Sequence, residues 1–380
     1  MFDVHRKSSF STHVDMNNPA VILPLQRLSP GRFETPAILK KLASAGRKLA
    51  ELKGVVESIP NRGILINTLV MQEAKDSSEI ENIVTTHDEL FRGDLSPSSS
   101  VGPAAKEVLR YRQALQVGFK GVVENELLTT RQILEIQATL EQNNAGFRKV
   151  PGTVLKDGVG QTVYTPPQNP DEIEAAMSDL ERFINEEQVF DADPLVKMAL
   201  IHHQFESIHP FYDGNGRTGR IINVLYLVQQ GLLDIPVLYL SRYLVRTKAD
   251  YYRLLQSVRT QDTWEEWILY MLTAVEETST EAIATIQAVK KAMMETKRNI
   301  RASYKFYSQD LINNLFDHPY TKVEFIERDL KVSRLTATKY LEALVKGGFL
   351  RKHKVGRVNF YINPALTSIL TGDSMQSPGS

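Results

Sequence analysis

One stretch, His209 to Arg220, reads HPFYDGNGRTGR and holds the densest set of groups that could do chemistry. Gly214 and Gly216 let a loop turn its backbone N–H groups toward one point just before a helix begins, and those donors together with the helix dipole favour an anion. Arg217 and Arg220, three apart in the first helical turn, add forked donors to the same anion, and Asn215 adds an amide. A polyphosphate would satisfy both guanidiniums. Asp213 repels a phosphate on its own, but with a hard divalent cation between them it becomes a sensible Mg²⁺ ligand. His209 is then the proton acceptor. With a free pKa of about 6.5 its imidazole is mostly neutral at pH 7 and can take a proton from an attacking hydroxyl, while Pro210 stiffens the exit from the preceding helix.

Other chemistries for these residues fail on context. Gly214 to Gly219 fits the dinucleotide fingerprint GxGxxG, which needs a β-strand immediately before it, whereas ALIHHQFESI (199–208) has apolar residues at helical spacing. No GxxxxGK[ST] loop occurs. His202, His203, Glu206 and His209 do not form HExxH, and adjacent His202 and His203 point about 100° apart on a helix, so core packing or hydrogen bonding suits them better than a metal.

The elements that must hold this loop are helical. Apolar residues recur three and four apart over 36–59, 64–84, 104–117, 130–142, 171–185, 194–206, 217–230, 248–259 and 263–297. The serine-rich LSPSSSVG (95–102) breaks the series. GFRKVPGTVLKDGVGQTVYTPP (146–167) is different, with β-branched residues around Asp157-Gly158, a pair that suits a tight hairpin turn. From Ser308 three short helical segments lead into Gly347-Gly348 and an alternating stretch, FLRKHKVGRVNFYI, and the last residues form a tail expected to be disordered.

A chain of 380 residues exceeds what one core usually organises, and with 42% hydrophobic and 24% charged residues most of it should fold. Its 45 basic and 45 acidic side chains cancel, which excludes a global attraction to nucleic acid or anionic membrane. The absence of cysteine excludes disulfides, thiolate zinc sites and cysteine nucleophiles. Met1 to Asn17 lacks a signal-peptide core, and the most apolar twenty residues, Ile221 to Leu240, include Asn223, Asp234 and Pro236, so the expected location is the cytoplasm, without a membrane anchor.

HPFYDGNGRTGR agrees at every defined position with HPFx[D/E]GNGRxxR, and on that motif the chain resembles the Fic family over about Leu95 to Arg259. The resemblance implies a mainly α fold, a Fic-type helical core with a β-hairpin flap, that transfers AMP from ATP to a Ser, Thr or Tyr hydroxyl of a target protein or of itself. It implies that His209 deprotonates the hydroxyl, Asp213 holds Mg²⁺, and the stretch from Gly214 through Asn215, Gly216, Arg217, Thr218 and Gly219 to Arg220 holds the phosphates. The hairpin from Lys149 to Val163 would align the target by strand pairing. Tyr251-Tyr252 resembles the family's tyrosine pair near adenine, with Tyr252 the expected ligand contact, while Thr247 stands where the family often has asparagine.

Ser77, Glu81 and Asn82 resemble the family's inhibitory motif [S/T]xxxE[G/N] in the class whose inhibitory helix precedes the core. Ser77 and Glu81 share a helix face, and a carboxylate there would compete with the γ-phosphate for Arg220. Residues 301–365 carry twelve Lys or Arg against six Asp or Glu, with Arg334, Lys339, Arg351, Lys352, Lys354 and Arg357 among them, and resemble a winged helix-turn-helix domain able to meet DNA. The expected division is therefore an N-terminal helical region with the inhibitory helix (1–95), the catalytic core (96–297), the winged helix-turn-helix (301–365) and a tail (366–380). A homodimer is a further possible assembly. Two rival functions use the same site: a transcriptional regulator that senses nucleotide, and AMP removal with Glu81 positioning water.

Overall fold

Proline and short polar side chains mark where helices begin. Pro36, Pro103, Pro170, Pro194 and Pro364 each stand in a first turn, where the missing N–H has no intrahelical acceptor to serve. Thr35, Asn169, Asp193 and Asn363 cap four of these starts by accepting a backbone N–H, and Thr129 with Gln132 forms a capping box. The computed structural model describes residues 19–59, 61–95, 101–355 and 358–372.

The helices are α1 (Pro36–Glu57), α2 (Arg62–Ile80), α3 (His87–Leu95), α4 (Pro103–Asn125), α5 (Thr130–Glu141), α6 (Pro170–Asn185), α7 (Pro194–Ile208), α8 (Asn215–Gln229), α9 (Ser241–Arg246), α10 (Lys248–Gln261), α11 (Trp264–Ser303), α12 (Gln309–Asp317), α13 (Val323–Leu330), α14 (Arg334–Lys346) and α15 (Pro364–Thr371). Strands β1 (Leu155–Lys156) and β2 (Thr162–Tyr164) form the hairpin between α5 and α6. Strands β3 (Tyr320–Thr321), β4 (Arg351–Val355) and β5 (Val358–Ile362) form an antiparallel sheet in the order β3-β5-β4, so β4 lies at an edge.

At the centre runs α7, buried on every side from Leu195 to Ile208. Around it pack α6, α8 and α11. His202 stacks on Trp267 with ring centroids 6.0 Å apart, and His203 meets Trp264 edge-on at 4.7 Å. Both histidines are thus core residues, as their spacing predicts. The inhibitory-motif helix α2 lies against α4 and α9 on one side and α12 on the other.

Several boundaries differ from the sequence reading. α11 runs unbroken through residues 297 to 301, and one hydrophobic cluster joins the N-terminal helices, the core and the C-terminal module. The C-terminal module also touches the N-terminal helices directly: Asn67 Nδ2 donates to Asp317 Oδ1 at 2.9 Å, Gln72 Nε2 to Leu370 O at 2.6 Å, and Tyr320 OH to Asp88 Oδ1 at 2.8 Å. Residues 366–371, assigned above to the tail, belong to α15, which buries Leu366 and Leu370 and is capped by Asn363. The hairpin does not turn tightly at Asp157-Gly158. Asp157 Oδ1 instead accepts the N–H groups of Val159 and Gln161 across a longer loop, and the positive φ, 84°, falls on Gly160. Met1 to Asn17, Ser96 to Ser100, Arg357 and the final eight residues lie outside the described residues.

Candidate active site

Two helix ends meet at the motif. α7 finishes at Ile208 and His209 follows in the left-handed region at φ 48°, which swings the chain away from the helix axis. Its carbonyl accepts from Arg148 Nε at 2.7 Å, and Arg148 N donates to Pro210 O at 2.8 Å. Of the two ring nitrogens, Nδ1 is sealed from solvent and the ring leans on the Glu206 backbone, leaving Nε2 as the nitrogen for an incoming hydroxyl. Burial, then the cations of Arg148 and Arg259, pull the imidazole down to about 3, so it is neutral near pH 7 and able to accept a proton.

α8 begins beyond Gly214, whose φ of 75° favours glycine and where a Cβ would meet Glu141 Oε1 at 2.5 Å. Gly216 is required for a different reason: a Cβ there would come 2.6 Å from Glu81 Oε1, in the space the Glu81 carboxylate uses. That carboxylate bridges both motif arginines. Glu81 Oε2 accepts from Arg217 Nε at 2.6 Å and Oε1 from Arg220 Nη2 at 2.8 Å. Arg220 also donates from Nε to Ser77 Oγ at 2.8 Å and from Nη2 to Ser77 O at 2.9 Å. Both guanidiniums are buried, at 3% and 2% exposure, whereas Glu81 keeps 22% of its side chain accessible. Burial acts to lower the Arg220 pKa, but Glu81, joined by Tyr251, Tyr111 and Glu206, outweighs it and the group stays charged.

The end of α2 explains Asn82. Ile83 N donates to Ser78 O and Asn82 N to Glu79 O, both at 3.0 Å, which is a Schellman closure with Asn82 in the left-handed position at φ 64°. Asparagine or glycine fits that position, and the turn it makes presents Glu81 to α8. Lys248 Nζ holds the Asn82 side chain from α10 at 3.0 Å.

Not every predicted ligand residue keeps its expected job. The Asn215 amide is spent on the loop itself, with Oδ1 accepting from Phe211 N and Nδ2 donating to Phe211 O, both at 2.8 Å, so it braces the anion nest from below. Thr218 is fully buried, with its N–H bonded to Gly214 O and its hydroxyl sealed from solvent without a partner. Gly219 faces α7, beneath Phe205 and Glu206, and serves close helix packing. The tyrosine pair divides: Tyr251 is buried with its OH 2.9 Å from His202 Nε2, while Tyr252 remains 48% exposed and within electrostatic reach of Arg220 and Glu81.

Asp213 fits a hard cation. Its side chain is 77% exposed, Oδ1 accepts from Gly214 N at 2.7 Å, and Arg217 stands 3.7 Å away, so it is a fixed carboxylate at the rim of an anion nest that could share Mg²⁺ with phosphate oxygens. Spacing alone missed Arg148, Arg259, Tyr164, Glu141 and Glu206. Glu141 and Glu107 pair with the far side of Arg217 at 3.0 and 3.5 Å. Glu206 has Oε1 buried without a partner, and burial raises its carboxyl to about 7 against the pull of Arg220.

Comparisons with known proteins agree with this geometry. Residues 39–120 match the Fic/DOC family N-terminal region, residues 127–227 the Fic/DOC family itself, and residues 292–366 the SoFic-like protein adenylyltransferase C-terminal domain. A probable protein adenylyltransferase of Aquifex aeolicus is 30% identical over 185 residues, 47% of this chain and 54% of the relative, and protein adenylyltransferase Fic of Culex quinquefasciatus is 28% identical over 200 residues, 49% and 35% respectively. The chain thus spans about half or less of these curated relatives. Among solved structures, a Fic family protein from Desulfovibrio desulfuricans aligns with a TM-score of 0.56 at 19% identity, covering 89% of this chain and 99% of that one. A fragment of Fic-1 from Caenorhabditis elegans aligns at 0.51 and 19% identity, covering 66% and 74%. With its motif loop, its N-terminal helices and its C-terminal module each matched in turn, the chain belongs to the Fic/DOC family.

Proposed function

We propose that the chain is an autoinhibited protein adenylyltransferase, moving AMP from ATP to a Ser, Thr or Tyr hydroxyl of a target protein or of itself. The observation that carries this reading is the Glu81 carboxylate seated between Arg217 and Arg220 at the head of α8. Of the carboxylates around these guanidiniums, Glu81 is the one that bridges both at a helix N-terminus, and the terminal phosphates of a triphosphate would suit the same donors. In the step itself the target oxygen gives its proton to His209 Nε2 and attacks the α-phosphorus. The new P–O bond forms as the bond to the β-phosphate oxygen breaks, and pyrophosphate leaves. Mg²⁺, when bound, neutralises charge on the phosphate oxygens. Asp213 would hold it, Arg217 and Arg220 would bind the β- and γ-phosphates, and Tyr252 stands by the base.

Glu81 occupies the place of the terminal phosphate, so ATP binds with its α-phosphorus out of line until α2 yields. Purified protein incubated with ATP and Mg²⁺ should gain the mass of one AMP or label a target, and the Glu81→Gly variant should do so faster. No gain in either protein, with or without a lysate of candidate targets, would refute the reading.

The C-terminal module favours a second partner class. Arg334 and Lys339 on α14 and Arg351, Lys352 and Lys354 on the edge strand β4 are exposed, and we infer that this winged-helix-like order of elements meets DNA. Among the described residues no helix is long and apolar enough to cross a membrane.

A further inference from the structure

The last turn of α7 presents carbonyl groups that no N–H of its own helix can reach, because the helix stops at Ile208. Each is met from elsewhere. Glu206 O accepts from Arg259 Nη2 at 3.1 Å, Ser207 O from Tyr164 OH at 2.9 Å, Ile208 O from Arg148 Nη2 at 3.4 Å, and His209 O from Arg148 Nε at 2.7 Å. Arg259 Nε also donates to Ser207 Oγ at 3.0 Å, and its guanidinium lies 3.9 Å above the Tyr164 ring. Arg148, only 1% exposed, uses the same Nη2 to hold Pro167 O at 2.9 Å. Residues 148 and 167 flank the hairpin of β1 and β2, so one guanidinium ties both ends of the flap to the backbone of the proton acceptor.

Cations suit the negative end of a helix, yet burying two of them is expensive, and Arg148 commits Nε and Nη2 to backbone carbonyls while Nη1 stays buried without a partner. A simple cap needs less. We propose that Arg148, supported by Arg259 through Tyr164, is a positioning residue that fixes His209 relative to the flap, so that a target strand seated on the flap meets a base already in place. The proposal rests on the reading of His209 as proton acceptor. The charged groups that act on His209 are Arg148, from before the flap, and Arg259, from α10; α7 meets it through the Glu206 backbone, and Tyr164 and Tyr212 face Arg148.

The test uses the full chain in a Glu81→Gly background, with kcat for AMP transfer and ATP Kd measured separately. Arg148→Met keeps the volume and removes charge and donors. It should lower kcat by about 10- to 100-fold while leaving Kd within about twofold, because the base is displaced and the anion nest is not. Arg148→Lys should recover part of the rate. In parallel, a ¹³C-histidine NMR titration, with the His209 signal identified by its loss in His209→Asn, should show the imidazole transition move toward its free value in Arg148→Met and stay low in Arg148→Lys. An unchanged kcat, or a loss of ATP affinity matching the loss of rate, overturns the proposal. Should Arg148→Met fail to fold by circular dichroism, Arg259→Met and Tyr164→Phe test the same cage from the other side, and wild-type kcat and titration in both would overturn it. If Glu81→Gly transfers no AMP at all, the functional reading falls while the NMR arm still decides the positioning, an unshifted transition in Arg148→Met being the refuting result.

Discussion

The two helix ends that meet at HPFYDGNGRTGR are closed in opposite ways. The negative end of α7 is sealed by Arg148, Arg259 and Tyr164, whose polar atoms are held in packed surroundings. At the positive end of α8 both motif arginines are bridged by the Glu81 carboxylate at the end of another helix, itself 22% exposed and anchored through Asn82 at the surface. In the function we propose, the first closure stays in place and sets where a proton goes, and the second gives way to an incoming anion. A site that keeps its base fixed and leaves its anion nest under a removable cover can be switched without rebuilding its chemistry.

The largest effect should come from the side that stays in place. His209→Ala should abolish AMP transfer while ATP affinity stays within about twofold, since the imidazole handles the proton and the nest handles the phosphates. Isothermal titration with ATP beside an initial-rate assay checks this, and parallel loss of affinity and rate would erase the distinction between the two ends.

Removing the cover should act in the opposite direction. Glu81→Gly should raise the initial rate strongly at saturating ATP and Mg²⁺, and it should also change stability. Taking one partner from a buried ion pair costs about 3–5 kcal/mol when burial is complete, and less here because Glu81 is partly exposed. The nucleotide-free variant should therefore melt lower than wild type and regain more on adding ATP, because ATP restores negative charge to Arg217 and Arg220. Equal thermal shifts in the two proteins would mean that Glu81 and ATP do not compete.

How far this contrast could be read from sequence depends on distance along the chain. The head of α8 is local, with Asp213, Gly214, Asn215, Gly216, Arg217 and Arg220 in one short stretch, and its anion chemistry follows from their order. The cap on α7 joins Arg148 to His209 across 61 residues and Arg259 to Ser207 across 52, and no spacing rule links them. Ser77 and Arg220 are 143 apart, and only the family resemblance of both motifs brought them together. Asn215 shows the reverse failure: its place in the motif suggested a ligand, but a buried amide within reach of Phe211 satisfies the loop first. Long amphipathic helices such as α6 were legible, whereas α9 is too short to show a period and α15 was hidden by the polar tail that follows it.

Titration can sharpen the comparison further. A His209 imidazole pulled down to about 3 remains neutral across the working range, so His209 should contribute no acid-side fall in rate between pH 5 and 8. Glu206 titrates there instead. Burial raises it to about 7 with help from the Glu81 charge, so in Glu81→Gly it should ionise at lower pH, and as it does its new charge competes for Arg220 and apparent ATP affinity should decline. That decline should vanish in Glu206→Gln. A pH dependence that survives this change would place the titrating group elsewhere.

The smallest effect should come from Ser77→Ala. Ser77 lies one turn before Glu81, and its hydroxyl accepts from Arg220 Nε while its carbonyl accepts from Nη2. Alanine removes the first contact and leaves the second, together with both bonds from the arginines to Glu81. The cover is loosened rather than lifted. A single hydrogen bond to a charged donor contributes about 1.5–3 kcal/mol at most, and part of that returns if Arg220 tightens on Glu81. Activation of no more than about tenfold is therefore expected, below Glu81→Gly and above wild type, as initial AMP incorporation under the same conditions. Because Ser77 acts only through Arg220 and the seat of Glu81, adding Ser77→Ala to Glu81→Gly should give little further increase, and full additivity of the two activations would show that Ser77 restrains the site by a separate route.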